Sequence, residues 1–438
     1  MSCWYLTIQV TKLSNGLLVA SVENNASVSR VTVAAKAGAR YEDGNQLGLT
    51  HFLRHLPVKH NYKFQEVIFL KGLQQLGSSF YCSNSREYMY YTVESLRTEL
   101  DDALLFLEDV SVNPFINYWD IGALDSNLKF DLLCLENEPV ARSLDSLHLA
   151  AYRNTLGRSL YMPDYMIGNF SSEQINEYTY KHYSPDNMAV IGIGVDHDEL
   201  VSRAEEFDFS GSPPTSPDAP IQTGDRSKPT PPQKAVYKGG EIRIPTYTDQ
   251  TVASVAVEGS SLCDKDLLAV QVLQNLISHH SSVKYGAETS KLNTAISKAT
   301  NKPFHVRSFN MSYTDGGLFG FTACSRYDNI RNVLKAAFDQ FVTLTKGGIS
   351  EQEVSRAKTQ LKADLFMSYE NGGYVLDDLC EQVLCHEKIT SPAEIAKKID
   401  AVSVKEVEAV AKKIGSSKPS MSIIGNLSDA PYLDELYK

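Results

Sequence analysis

The sequence predicts an α+β protein built as a tandem duplication, in which each unit of about 200 residues is a mixed, mainly antiparallel sheet covered by helices. Three observations support this fold class. A turn-forming Asn-Gly pair opens the chain, and a proline-rich segment divides it near the middle. The order of predicted strands and helices before that segment then returns after it.

The first unit opens on a β-hairpin. Segments 8–13 and 17–22 flank Ser14-Asn15-Gly16, and Asn-Gly favours a tight turn with positive φ. A central strand over 30–38 leads into a helix that carries His51 and His55. The remaining predicted elements are a helix over 63–76 ended by Gly77, strands over 79–85 and 88–94, helices over 98–112, 119–135, 141–153 and 172–183, the last capped by Ser172, and a closing strand over 187–194.

A proline-rich segment separates the two halves. Between Ser210 and Gln233, prolines stand among serine, threonine and aspartate, and this composition favours an extended linker over a packed element. We therefore predict an N-terminal repeat over 1–209, a linker over 210–235 and a C-terminal repeat over 236–438.

The same order of elements is predicted after the linker. Met421, in the closing strand of the second unit, follows Met188, in that of the first, by 233 residues. A helix over 264–278 takes the place of the histidine helix, and Ser350 with Glu353 forms a capping box. The second unit is predicted as strands over 239–244 and 251–259, the helix over 264–278, strands over 304–313 and 317–324, helices over 328–344 and 350–369, and a closing strand over 419–426.

Composition and charge exclude several classes of function. The net charge of −11 argues against a broad nucleic-acid surface, which needs a basic stripe. No apolar run approaches the length of a transmembrane helix, so we expect membrane association only through partners. The seven cysteines are scattered without a Cys-x-x-Cys pair, which favours reduced thiols in a compartment that is not secretory. The N-terminal residues have neither a secretory signal pattern nor an Arg-rich amphipathic one.

The sequence offers one candidate site for chemistry, in the helix that holds His51 and His55. Residues four apart share a helix face, so the two imidazoles could bind one metal ion. A glutamate directly before the second histidine would complete the inverted zinc-peptidase signature and act as the general base. The chain has Arg54 there, and a guanidinium cannot accept a proton.

A third ligand would have to come from the next long helical region. Asp131, Glu136 and Glu138 are the candidates, and Asp131 lies on the predicted helix itself. The plainer interpretation is that both histidines are ordinary core or surface residues, since the spacing alone is a weak signal. Because Arg54 would repel a dication, we expect the site to be free of metal.

Several stretches resemble the pitrilysin-type family, which includes the mitochondrial processing peptidase subunits and the core proteins of respiratory complex III. The resemblance begins with Leu13-Ser14-Asn15-Gly16, continues through Lys36-Ala37-Gly38-Ala39-Arg40-Tyr41-Glu42, and reaches Gly48-x-x-His51-x-x-x-His55. It covers essentially the whole chain. The stretches similar to the core-protein branch are 147–154, 159–168, 237–243, 308–320 and 425–428.

This resemblance implies a noncatalytic scaffold of complex III, peripheral to the mitochondrial inner membrane on its matrix side, with the transit peptide absent from this sequence. The implied partners are a second core protein, cytochrome b, cytochrome c1, the Rieske protein and the small subunits of a dimeric complex. No cofactor is expected in this chain, because it shows no ligand set for haem or an iron–sulfur cluster.

Departures from the active members define the alternatives. Arg54 replaces the catalytic glutamate, Val58-Lys59-His60-Asn61 replaces a Phe-Lys-Gly-Thr run, and the distal glutamate falls near Phe130 or Asp131. His51, Arg54, His55 and Asp131 would then form a vestigial pocket without catalytic residues. The alternatives are a zinc metallopeptidase subunit, in particular its noncatalytic substrate-binding partner, and a free-standing chaperone-like binder. Segment 279–287 has one glycine, which disfavours the glycine-rich loop of that partner.

Overall fold

The computed structural model describes residues 7–59, 63–112, 114, 121–209, 233–278 and 290–436. The chain divides into two compact units, each built from three segments. Unit 1 comprises 1–134, 158–233 and 370–389, and unit 2 comprises 135–157, 234–369 and 390–438. The predicted linker falls mostly on 210–232, and segment 279–287 lies within 279–289; both are outside the described residues.

The first half of the chain supplies a six-stranded sheet and its helices. The sheet has the strand order β1-β2-β6-β3-β5-β4. The elements are β1 (Thr7–Lys12), β2 (Leu18–Glu23), β3 (Val28–Ala35), α1 (Leu49–His55), α2 (Glu66–Gln75), β4 (Ser79–Asn84), β5 (Met89–Leu96), α3 (Leu100–Ser111), α4 (Asp125–Asn137), α5 (Pro139–Tyr152), α6 (Ser172–His182), β6 (Met188–Ile193) and α7 (His197–Glu205).

The second half supplies a five-stranded sheet with the order β7-β11-β8-β10-β9. Its elements are β7 (Glu241–Pro245), β8 (Gln250–Glu258), α8 (Leu267–Ile277), α9 (Lys291–Ala299), β9 (Phe304–Ser312), β10 (Gly317–Arg326), α10 (Ile330–Thr345), α11 (Glu351–Ser368), α12 (Gly372–His386), α13 (Pro392–Ala401), α14 (Val404–Gly415), β11 (Ser420–Gly425) and α15 (Leu433–Leu436).

The two sheets share one topology, which confirms the predicted fold class and duplication. In the first, the closing strand β6 runs parallel to β2 and antiparallel to β3. In the second, β11 runs parallel to β7 and antiparallel to β8. All six residues of each closing strand are buried, as expected for a central strand covered on both faces.

The opening hairpin forms as its sequence predicts. Strands β1 and β2 pair antiparallel from Thr7 with Glu23 to Lys12 with Leu18. Gly16 has a φ of 95°, which an Asn-Gly turn requires and which costs glycine little. The Asn15 side chain accepts a hydrogen bond from the Leu17 N–H at 3.0 Å and so closes the turn.

Each unit includes one helix from the other half of the chain. Helix α5 belongs to unit 2, where it packs on β7, β8 and β11. Its Ser143 hydroxyl donates to Ser254 Oγ, and its Tyr152 hydroxyl donates to the Gly317 carbonyl. Helix α12 belongs to unit 1, where it packs on β3 and β6. Two contiguous repeats of 1–209 and 236–438 therefore do not describe the compact units, because these helices find their apolar contacts on sheets distant in sequence.

Some predicted element ends shift in the structure. Ser172 was expected to cap helix α6, but the cap is Ser171, whose hydroxyl accepts from the Gln174 N–H while the Gln174 side chain accepts from the Ser171 N–H. Such a reciprocal pair satisfies two free donors, which decides between adjacent serines. The predicted capping box of Ser350 and Glu353 is confirmed. In the described part of the chain, no helix has the length and apolar character to cross a membrane.

His182, at the end of α6, is buried as a neutral base. Its ring packs against those of Tyr41 and Tyr178, with centroid distances of 5.3 and 4.5 Å. The Nε2 atom has no hydrogen-bond partner among the described residues. Burial, with a smaller contribution from Lys181, lowers the pKa of His182 from 6.5 to about 4, and Asp43 opposes the shift.

We expect His182→Phe to make the protein less sensitive to acid. Below pH 6.5 the unfolded chain binds a proton on His182, whereas the folded chain does not bind it until the pH is about 4. His182 therefore lowers the free energy of unfolding progressively as the pH falls from 6.5 to about 4, and it has no such effect above pH 6.5. This penalty amounts to about 3 kcal/mol, and phenylalanine abolishes it while keeping the aromatic contact. Denaturant unfolding between pH 7 and pH 4 measures it.

The matched control for this substitution is His305→Phe, at an exposed position on β9. It should leave the pH dependence of the wild-type protein unchanged. An identical slope of unfolding free energy against pH in His182→Phe and wild type would contradict the assignment of a buried neutral imidazole.

Candidate functional site

A buried carboxylate sets the position of the histidine helix α1. Glu42 accepts hydrogen bonds from the Gly48 N–H at 2.8 Å, the Thr50 N–H at 2.9 Å and the Thr50 hydroxyl at 2.7 Å. Burial raises the pKa of Glu42 to about 7, although these hydrogen bonds and nearby Arg158 oppose the shift. Glu42 thus holds the first turn of α1 and, through it, the direction of both histidines.

The predicted site residues meet at one carboxylate oxygen. Asp131 on α4 places Oδ2 at 3.1 Å from His51 Nε2 and 2.9 Å from His55 Nε2. The Arg54 guanidinium donates to the same oxygen. His51 is fully buried, whereas the other three side chains remain about a quarter to a fifth exposed. The i,i+4 spacing therefore does place both imidazoles on one helix face.

A backbone hydrogen bond fixes the protonation of His51. The Met162 N–H donates to His51 Nδ1 at 3.1 Å. In a neutral imidazole the other nitrogen then carries the proton, so Nε2–H donates to Asp131. The His51 ring also packs edge-on against Tyr161, with a centroid distance of 5.4 Å.

The electrostatics of the cluster favour neutral histidines beside one paired charge. Burial, together with the neighbouring Arg54 cation, lowers the pKa of His51 to about 3 and that of His55 to about 4. Burial also lowers the pKa of Arg54, but a guanidinium stays protonated in proteins. The ion pair at the site is thus between Arg54 and Asp131.

His51, His55 and Asp131 are the one group within the described ranges whose donor atoms could surround a metal ion, all within 4.8 Å of one another. The hydrogen bonds fit such an ion poorly. A metal-binding imidazole normally donates its second N–H to an acceptor, whereas His51 Nδ1 itself accepts from Met162. In addition, Arg54 already occupies the carboxylate, so the arrangement is a hydrogen-bonded cluster.

The structure distinguishes among the predicted third ligands and adds residues that the sequence did not single out. Asp131 is in the cluster, while Glu136 and Glu138 are not. Glu42 and Met162 were not predicted as site residues. No pattern could reveal Met162, because its backbone N–H acts on a side chain 111 positions away and any residue but proline supplies that donor.

Curated relatives match almost the whole chain. It is 36% identical, over 98% of its length and 92% of the relative's, to the human cytochrome b-c1 complex subunit 2, mitochondrial. The mouse protein of that name is 34% identical with the same coverage. The Neurospora crassa mitochondrial-processing peptidase subunit beta is 30% identical over 96% of this chain and 88% of its own. These similarities confirm the resemblance to the core-protein branch of complex III within its wider family.

Two family profiles divide the chain. Residues 18–164 match the insulinase profile of peptidase family M16, and residues 169–361 match the profile described as the peptidase M16 inactive domain. The first match contains the His51 cluster up to Met162, and the second begins just before α6. The chain belongs to peptidase family M16, in the group that includes the mitochondrial cytochrome b-c1 complex subunit 2.

Proposed function

We propose that the protein is a noncatalytic structural subunit of the mitochondrial cytochrome b-c1 complex (complex III), peripheral to the inner membrane on its matrix side. Its partners would be a second core protein, cytochrome b, cytochrome c1, the Rieske protein and the small subunits of the dimeric complex. The chain itself would carry no cofactor, and electron transfer would belong to its neighbours.

One observation carries this proposal: similarity to subunit 2 of that complex extends over 98% of the chain and 92% of the human relative, at 36% identity. The similarity to a processing peptidase subunit is also nearly full-length but lower, at 30% identity.

The hydrogen bonds around Arg54 support a noncatalytic role. A peptidase of this family would need a base beside the second histidine, and Arg54 instead donates to the carboxylate that a metal would use. His51 presents Nε2–H rather than a lone pair to that position. His51, Arg54, His55 and Asp131 are therefore interpreted as a vestigial pocket with no metal.

The alternative is a noncatalytic, substrate-binding subunit of a presequence-processing metallopeptidase. The similarity to the human mitochondrial-processing peptidase subunit alpha, which is 28% identical over 98% of this chain, favours it. The two functions differ in their partner, since a peptidase subunit needs a catalytic companion and a complex III subunit needs cytochrome b.

We expect the endogenous chain to co-migrate with cytochrome b when mitochondria are solubilised in mild detergent and separated on a native gel. A structural subunit buries large surfaces in a stable assembly and should remain bound. Mass spectrometry of the gel band measures this.

Protease treatment of mitoplasts and of detergent-opened mitochondria, with a matrix protein as control, tests the side of the membrane.

The alternative makes a different prediction in the same experiment. The chain would migrate at about the size of a two-subunit peptidase and cleave presequence peptides with its companion. Absence of cytochrome b from the band, together with such cleavage, would refute the complex III assignment.

We further expect Arg54→Glu to restore neither stoichiometric zinc nor peptide cleavage. The variant regains the carboxylate of an active member, but Met162 still donates to His51 Nδ1 and keeps the proton on Nε2. Zinc content by elemental analysis and hydrolysis of a presequence peptide measure this. The control is Lys129→Glu, an equal charge reversal at an exposed position on α4. One tightly bound zinc in Arg54→Glu would show that Arg54 alone blocks the metal.

A further inference from the structure

After its first turn, helix α4 offers unit 1 very little buried apolar surface. Of its thirteen residues only Leu128 is buried, and it packs in the core of unit 1. Phe130 and Leu133 are 64% and 58% exposed. Ile121 and Leu124, in the helical turn that runs directly into α4, are also buried in this core, so apolar packing holds the N-terminal end of the helix. Past Leu128 no residue of α4 is buried, and the position of those turns needs another cause.

The equivalent helix of the second half is held in the ordinary way. Helix α11 packs along α8, which takes the place of α1 in the repeat. Val354 and Ala357 are buried, and Leu361 and Leu365 pack against the core of unit 2. These residues recur every three or four positions, as in an amphipathic helix. On α4, past its buried leucine, the inward contact is made by a carboxylate.

Asp131 joins α4 to two other segments of unit 1. Arg54 and His55 of α1 both donate to its Oδ2 atom. His51 links the same oxygen to the Met162 N–H beyond α5, at 3.1 Å on each side of the ring. Hydrogen bonds to a charged acceptor are stronger than neutral ones, and partial burial reduces competition from water.

We propose that the cluster of His51, Arg54, His55 and Asp131 is a structural clamp that holds helix α4 on α1. The clamp adds to the apolar packing at the start of α4 and takes the place of the later apolar contacts that α11 makes with its core. Retention of these side chains without catalysis then has a physical reason, because loss of Asp131 would remove the hydrogen bonds that join the later turns of α4 to α1. The inference does not depend on the proposed membership of complex III.

Hydrogen exchange of the purified full-length chain tests the clamp. In Asp131→Ala, amides of α4 should exchange about tenfold faster or more, as expected for losing hydrogen bonds to a charged group. Exchange in α11 should stay unchanged and serves as the internal reference. Alanine favours helix more than aspartate, so faster exchange cannot come from a lower intrinsic helix propensity.

Two further variants complete the test. Glu136→Ala lies on the same helix, outside the cluster, and should leave α4 exchange at the wild-type rate. Arg54→Met removes the cation from α1, leaves α4 unaltered in sequence, and should also speed exchange in α4. If Asp131→Ala also lowers the hydrogen-exchange protection of α11, this variant is destabilised as a whole, and the exchange of α4 in Arg54→Met alone tests the clamp. Wild-type exchange in α4 in the Arg54→Met variant, or equal effects of Asp131→Ala and Glu136→Ala, would overturn the clamp.

Discussion

The pairing of the closing strand in the middle of each sheet is the constraint on which the other elements depend. Strand β6 pairs between β2 and β3, although more than 150 residues separate it from β3 in the sequence. Strand β11 pairs in the same way between β7 and β8, and more than 150 residues separate it from β8. Because both strands are wholly buried, helices must cover both faces of the sheet. Helix α12 packs on β6, while α1 packs on the edge strand β4. Long-range pairing of this kind makes the fold dependent on non-local contacts.

The two halves share one order of strands, but their equivalent helices are held by different kinds of contact. Where α8 and α11 meet, branched and unbranched apolar side chains interlock, and their burial is favourable in itself. Where α1 and α4 meet, a largely buried ion pair and two neutral imidazoles share one oxygen. A charged contact of this kind is specific in geometry but contributes less net stability than the number of its hydrogen bonds suggests, since each ion loses water. The difference explains how the first half can keep polar residues at a helix contact without performing chemistry.

Much of the fold could be predicted from the sequence, because local chemistry decides it. Asn15-Gly16 has one favourable turn, and Ser350 with Glu353 marks a helix start whatever surrounds it. The convergence of His51, His55 and Asp131 could also be predicted, from helical spacing and the resemblance. Contacts that depend on distant backbone could not. The periodicity of apolar residues predicts that α5 has an apolar face, but it does not predict which sheet this face packs against. No residue type indicates that the backbone N–H of Met162 donates to His51.

The reciprocal placement of α5 and α12 has a consequence for the order in which the protein can be made. Unit 1 draws its last helix from residues 370–389, so a ribosome that has delivered the whole of the first sheet has not yet delivered the cover for β3 and β6. The exposed face must wait through synthesis of some 180 further residues, at roughly 5–20 residues per second. A chain that is translocated unfolded through a pore, N-terminus first, meets the same delay. Such a half-finished sheet is a natural client for chaperones, and a truncation that removes α12 would damage the unit that begins at the N-terminus.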